Sequence, residues 1–293
     1  MALDSMKQIF ERMERGNLAF WEVVLADDME ERQVSREASM AKMLSTWQAM
    51  QDAADAYTGR KRSVSGLVGG DGMKMRQYNF RGCAMTGGYV SEVIAEALSM
   101  AESNACMRRI VAAPTAGACG VLPAVLLPLC KYEELTQHQL LEALYVAAGI
   151  GSVIAYKASI AGASGGCQAE IGTASAMAAG ALVALRGGEG EQIGHAVAMA
   201  LKNLMGLVCD PVAGLVEVPC VKRNVMGAVN ALACADMALA GIAGAIPCDE
   251  VIDAMASIGR CLPASLRETG EGGLAATPTG RKLAEGRPLP SQM

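Results

Sequence analysis

The sequence predicts an all-α fold: a single compact helical domain with buried helices rich in Ala and Gly and with Gly-rich loops that carry cysteines. Three observations support this prediction. Hydrophobic residues make up 52% of the 293 residues but only 4% are aromatic, so the apolar mass consists mainly of small and helix-favouring residues. Apolar residues recur at helical spacing in several segments. No segment has the long apolar–polar alternation of a strand, and 216–218 is too short to build a sheet.

The helices are predicted in order along the chain. The first 60 residues are charged and amphipathic, with apolar side chains at helical spacing at Met40, Met43, Leu44, Trp47 and Met50. Further helices are predicted over 91–100, from a capping box at 136–139 to about residue 156, over 190–204 and over 222–242. We therefore expect an N-terminal amphipathic helical region, 1–60, continuous with a helical domain, 61–293, whose last 25 residues form a tail.

Composition and charge exclude several classes of function. The net charge of −5 gives no basic surface for nucleic acid. Residues 1–14 are amphipathic and have no continuous apolar run, so we expect no signal peptide and a cytoplasmic location. Ten cysteines in such a chain indicate metal binding or catalysis rather than disulfides.

One segment is long enough to suggest a membrane span. Residues 110–130 carry no charge over 21 positions. However, the segment contains Pro114, Pro123 and Pro128, and the chain has no aromatic belt. We therefore expect the core of a globular protein and no membrane.

Three cysteines stand out by their surroundings. Cys167, Cys209 and Cys220 each lie beside Gly or Pro, where a turn is expected. Cys167 is expected at the start of a helix, where the helix dipole favours a thiolate. Spacing alone is a weak signal, because no C-x-x-C pair and no neighbouring His completes a zinc or ferredoxin pattern. Cys119 lies in another Gly-rich loop, and its role stays open.

The resemblance to a family becomes specific in five segments. They are 65–70 (SGLVGG), 113–117 (APTAG), 162–170 (GASGGCQAE), 205–220 (MGLVCDPVAGLVEVPC) and 277–281 (TPTGR). In residues, order and spacing they resemble the α portion of the iron–sulfur L-serine dehydratases. The likeness covers nearly the whole chain.

The resemblance implies a chemistry. It places three ligands of a [4Fe–4S] cluster on Cys167, Cys209 and Cys220, which leaves one iron open to act as a Lewis acid on the serine hydroxyl. The implied reaction converts L-serine to pyruvate and ammonia without pyridoxal phosphate. Because the chain matches the α portion only, the resemblance also implies a separate β subunit and an oligomer.

Substrate contacts and the base are less well defined. Nine residues are expected to offer backbone N–H groups or hydroxyls to the substrate carboxylate and amine: Ser65, Gly66, Gly69, Gly70, Thr115, Ala116, Gly117, Ser164 and Gly165. The alternative interpretation is that these are tight turns. Candidates for the general base are Lys74, Lys157, Glu170 and His195, or a residue of the β subunit, so no catalytic residue is assigned.

Two alternative functions remain open from the sequence. A related cluster-dependent lyase, such as an L-cysteine desulfidase, would use the same three thiolates. A non-catalytic helical subunit would bind a cluster or zinc for stability, with Cys119 as a fourth ligand that closes the site.

Overall fold

The fold is made of helices throughout the part of the chain that the computed structural model describes, residues 3–286. The α-helices in that range are Met6–Gly16 (α1), Phe20–Arg32 (α2), Arg36–Asp55 (α3), Asp71–Phe80 (α4), Gly87–Ala105 (α5), Val121–Tyr132 (α6), Gln137–Lys157 (α7), Gly162–Gly165 (α8), Thr173–Leu185 (α9), Gly190–Lys202 (α10), Cys220–Leu239 (α11), Cys248–Cys261 (α12) and Pro278–Glu285 (α13). Residues 3–286 contain no strand, only an isolated parallel bridge between Cys209 and Arg267. The all-α prediction is confirmed, while the last seven residues of the predicted region 61–293 lie outside the described residues.

The predicted helices are present, with small shifts at their ends. The predicted capping box begins α7: Gln139 N donates to Thr136 Oγ1 at 3.3 Å, and Thr136 N donates to Gln139 Oε1 at 2.9 Å. These bonds satisfy backbone groups that the first turn of a helix leaves unpaired. Helix α11 begins at Cys220, two residues before the predicted start, because Pro219 occupies the position before the helix and needs no N–H partner.

The core lies around α9, whose residues 173–183 are all buried. Helices α7, α10 and α11 pack against α9, and α2, α3, α5, α6 and α12 surround this central group. The N-terminal helices share the same core, since Phe20 and Trp47 are buried in the same hydrophobic cluster as α9. Because α9 consists mainly of Ala and other small residues, its neighbours approach it closely from several sides.

Helix α7 is long and apolar enough to cross a membrane, and 67% of its most apolar window is buried inside the protein. It packs against α2, α3 and α9. This is the environment of a core helix in a globular protein. The uncharged segment 110–130 is not one helix: a 3₁₀ turn, Ala116–Ala118, precedes α6.

The close packing predicts the effect of adding one methyl group to α11. A Cβ at Gly227 would lie 2.9 Å from methyl groups of both Ile171 and Val121, whereas a Cβ at Gly172 would meet no atom closer than 3.8 Å. Both changes to Ala gain about 1 kcal/mol of helix propensity. At position 227 the crowding of stiff side chains costs about 1–3 kcal/mol. We therefore expect Gly227→Ala to unfold at lower urea concentration than the matched control Gly172→Ala. Equal midpoints would contradict this packing.

Candidate metal centre

Cys167 lies where a π-helical turn, Gln168–Gly172, begins and continues into α9. The predicted position at the start of a helix is therefore confirmed. Gln168 ties this turn to the next cysteine loop: its N–H donates to Leu207 O at 2.9 Å, and its side-chain Oε1 accepts from Gly206 N at 2.9 Å. Single π turns inside helices are frequent at functional sites.

Cys209 lies in the loop between α10 and α11, paired along its backbone with a segment near the C-terminus. Cys209 N donates to Leu266 O at 2.9 Å, and Glu268 N donates to Cys209 O at 2.7 Å. These two bonds form the isolated bridge noted above. A loop this deep in a protein needs such partners for its backbone polar groups.

Cys220 is the first residue of α11, and Asn224 one turn later fixes that end of the helix to the 113–120 loop. Asn224 Nδ2 donates to Cys220 O at 3.1 Å and to Gly117 O at 2.7 Å, while its Oδ1 accepts from Gly120 N at 2.8 Å. The side chain is buried, so losing it would leave unpaired backbone groups in the core.

The thiols of Cys167, Cys209 and Cys220 are buried and interact with one another. Burial raises the pKa of Cys167 and of Cys220 to about 12, and it also raises the pKa of Cys209. The charge of Cys167 contributes to the raised pKa of both other thiols. The fold thus brings together cysteines that are up to 53 residues apart in sequence. The expected effect of the helix dipole at Cys167 is outweighed by burial, because a thiolate loses its hydration there.

Glu170 lies beside these thiols. Its Oε1 accepts a hydrogen bond from Thr115 Oγ1 at 2.8 Å, and its charge raises the pKa of all three cysteines. Burial in turn raises the pKa of the Glu170 carboxyl. A Cβ at Gly162 would lie 2.8 Å from Glu170 Oε2 and 2.9 Å from Cys209 Sγ, so glycine keeps a small space open between these groups.

The glycine loop 65–70 is held by two buried carboxylates that the sequence did not indicate. Glu102 Oε1 accepts from Gly69 N at 3.2 Å and from Asp71 N at 2.8 Å. Glu217 accepts from the hydroxyl of Ser65. The N–H of Gly69 and the hydroxyl of Ser65 are therefore engaged within the protein.

Gly70, also among the predicted substrate contacts, takes a left-handed conformation (φ 83°) at the residue before α4. The remaining predicted contacts divide into two groups. The N–H groups of Gly66, Ser164 and Gly165 donate to backbone carbonyls in their own turns. By contrast, the segment 115–117 lies directly against Glu170: Thr115 bonds to it, and a Cβ at Gly117 would lie 3.2 Å from its Oε1. The structure therefore brings Thr115 and Gly117 close to Glu170, the acidic residue that interacts with the three thiols.

Of the four candidate bases, only Glu170 interacts with the thiol trio. Lys74 is exposed and pairs with Asp71. Lys157 pairs with two aspartates of α12, at 3.5 Å and 3.2 Å. His195 accepts from Gly244 N at 3.3 Å and lines a groove of about 1030 Å³ whose other walls include α1 and α2.

Cys119 is set apart from the trio. Its thiol is fully buried and donates a hydrogen bond to Met100 O at 3.7 Å. Burial raises its pKa to about 12, and no charge of another cysteine contributes to that shift. All ten cysteines are free thiols, in agreement with the expectation that they form no disulfides.

No compact site for a single metal ion is present in residues 3–286: no three His, Cys, Asp or Glu side chains there are grouped to hold one. The three thiols are therefore not arranged as ligands of one zinc ion.

The buried thiols should react slowly in the metal-free protein. At about pH 8 a thiol whose pKa is about 12 is protonated, and only the thiolate is nucleophilic. We expect iodoacetamide to alkylate the exposed Cys83 and Cys261 first and to leave Cys167 and Cys220 unmodified until the protein is unfolded. Mass spectrometry of the peptides measures the order. Early alkylation of Cys167 would contradict its burial.

Comparisons with known proteins identify the family of the chain. A family model described as "Serine dehydratase alpha chain" matches residues 15–275. The "Probable L-serine dehydratase, alpha chain" of Bacillus subtilis (strain 168) is 47% identical over 279 residues, which cover 95% of this chain and 93% of the relative. The "L-serine dehydratase, alpha chain" of Peptoniphilus asaccharolyticus is 38% identical over 283 residues, covering 96% of this chain and 97% of the relative.

A longer relative matches over part of its length. "L-serine dehydratase 2" of Escherichia coli (strain K12) is 45% identical over 181 residues, which cover 61% of this chain but 40% of the relative. The family model and the two alpha-chain relatives extend over nearly all of this chain, including the three cysteine segments. The chain therefore belongs to the serine dehydratase alpha chain family.

Proposed function

We propose that this chain is the α subunit of an L-serine dehydratase, an ammonia-lyase that converts L-serine to pyruvate and ammonia. We further propose that Cys167, Cys209 and Cys220 hold a [4Fe–4S] cluster. The observation that carries the proposal is that three buried thiols from three separate segments interact with one another and with the half-buried carboxylate of Glu170. The names of the relatives support the substrate.

The residues present suit such a cluster. Thiolate is the ligand that iron–sulfur clusters use in proteins, and here three thiols interact without forming a single-ion site. Gly162 leaves space that any side chain would fill, between Cys209 Sγ and Glu170. The thiols must lose protons when the cluster binds, so loading should become more favourable as pH rises.

When bound through three thiolates, the cluster supplies an iron without a protein ligand, a Lewis acid that stabilises the negative charge developing on the leaving hydroxyl oxygen. Overall, elimination removes the Cα proton and the Cβ hydroxyl of serine as water. The aminoacrylate product tautomerises and is hydrolysed to pyruvate and ammonia. This scheme needs no pyridoxal phosphate.

Within this chain, Glu170 is the side chain placed to handle a proton at the site. Its Oε1 is held by the Thr115 hydroxyl, and its Oε2 faces the space beside Gly162. A half-buried carboxyl with a raised pKa can hold a proton more readily than an exposed one. Thr115 and Gly117 adjoin it and, with Ala116 between them, are proposed substrate contacts.

A β chain is the proposed partner, and it remains a second source for the base. The names of the Bacillus and Peptoniphilus relatives specify an alpha chain, which supports a complementary chain in the active enzyme. An oligomer and a cytoplasmic location stay part of the proposal, without nucleic acid or a membrane as partners.

The position of Cys119 argues against a fourth protein ligand from this chain. Its thiol contacts Met100 O, and the charges of the trio do not act on it. Three thiolates leave one iron open, as catalysis requires. A fully ligated structural cluster would need a donor from elsewhere.

The ligand assignment predicts which cysteines are needed. We expect Cys167→Ala, Cys209→Ala and Cys220→Ala each to lose the cluster and the release of pyruvate from serine, because each removes one iron–thiolate bond. Cys119→Ala is the matched control, since it also removes a buried thiol but should keep both. Iron content and visible absorption after anaerobic reconstitution measure the cluster. Full iron in any trio variant, or loss of iron in Cys119→Ala, would show the assignment to be wrong.

Substrate choice requires a separate assay. The loaded enzyme, together with its β chain, should release pyruvate from L-serine. L-cysteine in place of L-serine would give pyruvate with sulfide, and L-threonine would give 2-oxobutyrate, so the products identify the substrate. We expect serine to be turned over most efficiently. Faster release of sulfide from cysteine would identify a desulfidase built on the same thiolates.

A further inference from the structure

Arg223 joins the helix that carries Cys220 to the loop that carries Cys209. It stands on α11 one turn after Cys220, and its side chain is 14% exposed. Its Nη1 donates to Val208 O at 2.7 Å, the carbonyl just before Cys209. The positive charge of the guanidinium also acts on the thiol of Cys167, on the third cysteine segment.

Asp210, just after Cys209, completes this arrangement. Arg223 Nη2 donates to Asp210 Oδ1 at 2.8 Å, and the other carboxylate oxygen accepts from Leu274 N at 2.8 Å. Asp210 is buried, so its charge needs both partners. A Cβ at Gly273 would lie 2.4 Å from Asp210 Oδ2, so a glycine allows the chain to approach the carboxylate. The 266–274 segment, which also bonds to the backbone of Cys209, is thereby held in place.

The charge of Arg223 also fits its position. The ionisable groups that act on the thiols from the surrounding elements are acidic in the main: Glu170, Asp210 and Glu268. Arg223 is the cation that acts on both Cys167 and Cys220. A guanidinium is permanently charged and presents several donors in fixed directions, so it can offset thiolate charge and orient its neighbours together.

We propose that Arg223, supported by Asp210, is the positioning residue of this site: it holds the Cys209 loop against the first turn of α11, which carries Cys220, before the metal group binds, and it places a positive charge beside the thiolates afterwards. The second half of this proposal rests on the proposed function. The first half concerns the metal-free protein and is independent of it.

The alternative is an ordinary half-buried ion pair that contributes only to stability. The chain contains such a pair elsewhere: Arg12 Nη1 lies 3.5 Å from Asp27 Oδ1, between α1 and α2, with side chains 28% and 12% exposed. Arg12→Met is therefore the matched control for Arg223→Met.

The first experiment uses the metal-free chain. Hydrogen exchange should become faster at residues 206–212 and 264–276 in Arg223→Met and in Asp210→Asn, while exchange in α9 is unchanged. Arg223→Lys keeps the charge but not the paired donors, so it should also loosen these segments. Arg12→Met should leave them unaffected. If these segments exchange in the Arg223 variants at the same rate as in the wild type, the positioning role is wrong.

The second experiment measures cluster binding after anaerobic reconstitution. Loss of an outer partner of a metal ligand typically weakens metal binding about 10-fold to 100-fold. We expect a loss of that size in Arg223→Met, and a more negative midpoint potential for any cluster that remains, because a nearby positive charge has been removed. Arg223→Lys keeps the positive charge, so its midpoint potential should lie close to that of the wild type. Its cluster affinity should recover less, because lysine lacks the paired donors.

The outcomes separate the two proposals. If the wild-type chain takes up no cluster, the proposed function fails, and the exchange experiment still decides the positioning role. If wild type and Arg223→Met bind the cluster equally well and at the same potential, the proposed function stands and the electrostatic role of Arg223 is wrong. Should Arg223→Met fail to fold, Arg223→Lys and Asp210→Asn carry the same comparisons.

Discussion

Buried negative charge is the constraint on which this structure depends. Removing a carboxylate or thiolate from water is costly unless hydrogen-bond donors or a cation compensate. The fold provides such compensation for the half-buried Glu170 and for three buried acids: Thr115 for Glu170, Ser63 and Ser65 for Glu217, backbone N–H groups and Tyr57 for Glu102, and Arg223 with Leu274 N for Asp210. The donors come from parts of the sequence distant from the acids. The hydrogen bonds that compensate these charges therefore also bring the segments of the site together.

Small residues make this assembly possible. Ala and Gly in α9 and α11 let neighbouring helices approach closely, and the loops between them reach the interior without bulky side chains in the way. Gly162 and Gly117 illustrate the point at the site, where a Cβ would press on Glu170. A core of large aromatic residues would hold the helices further apart and leave the three cysteines separated.

The sequence predicted the fold class and most helices because these depend on local signals. The capping box at Thr136 and the apolar spacing in α3 are examples, and both were found. The grouping of Cys167, Cys209 and Cys220 could be inferred only through family resemblance, since their spacing follows no short motif. The sequence did not predict the roles of four charged residues, because those roles depend on contacts between distant segments: Glu102, Asp210, Glu217 and Arg223. For Arg223 a signal existed: a charged residue one turn into a helix whose start carries a candidate ligand.

The π turn after Cys167 has a mechanical consequence. An extra residue in a helical turn shifts everything before it by about 100° around the axis relative to everything after it. Helix α9 can thus keep its packing with α7, α10 and α11 while the preceding thiol faces another direction. The direction in which the Cys167 side chain points from the helix axis is therefore set by the five residues Gln168–Gly172 rather than by the packing of the core. Deleting one residue there would turn the thiol away from its neighbours and leave the scaffold intact.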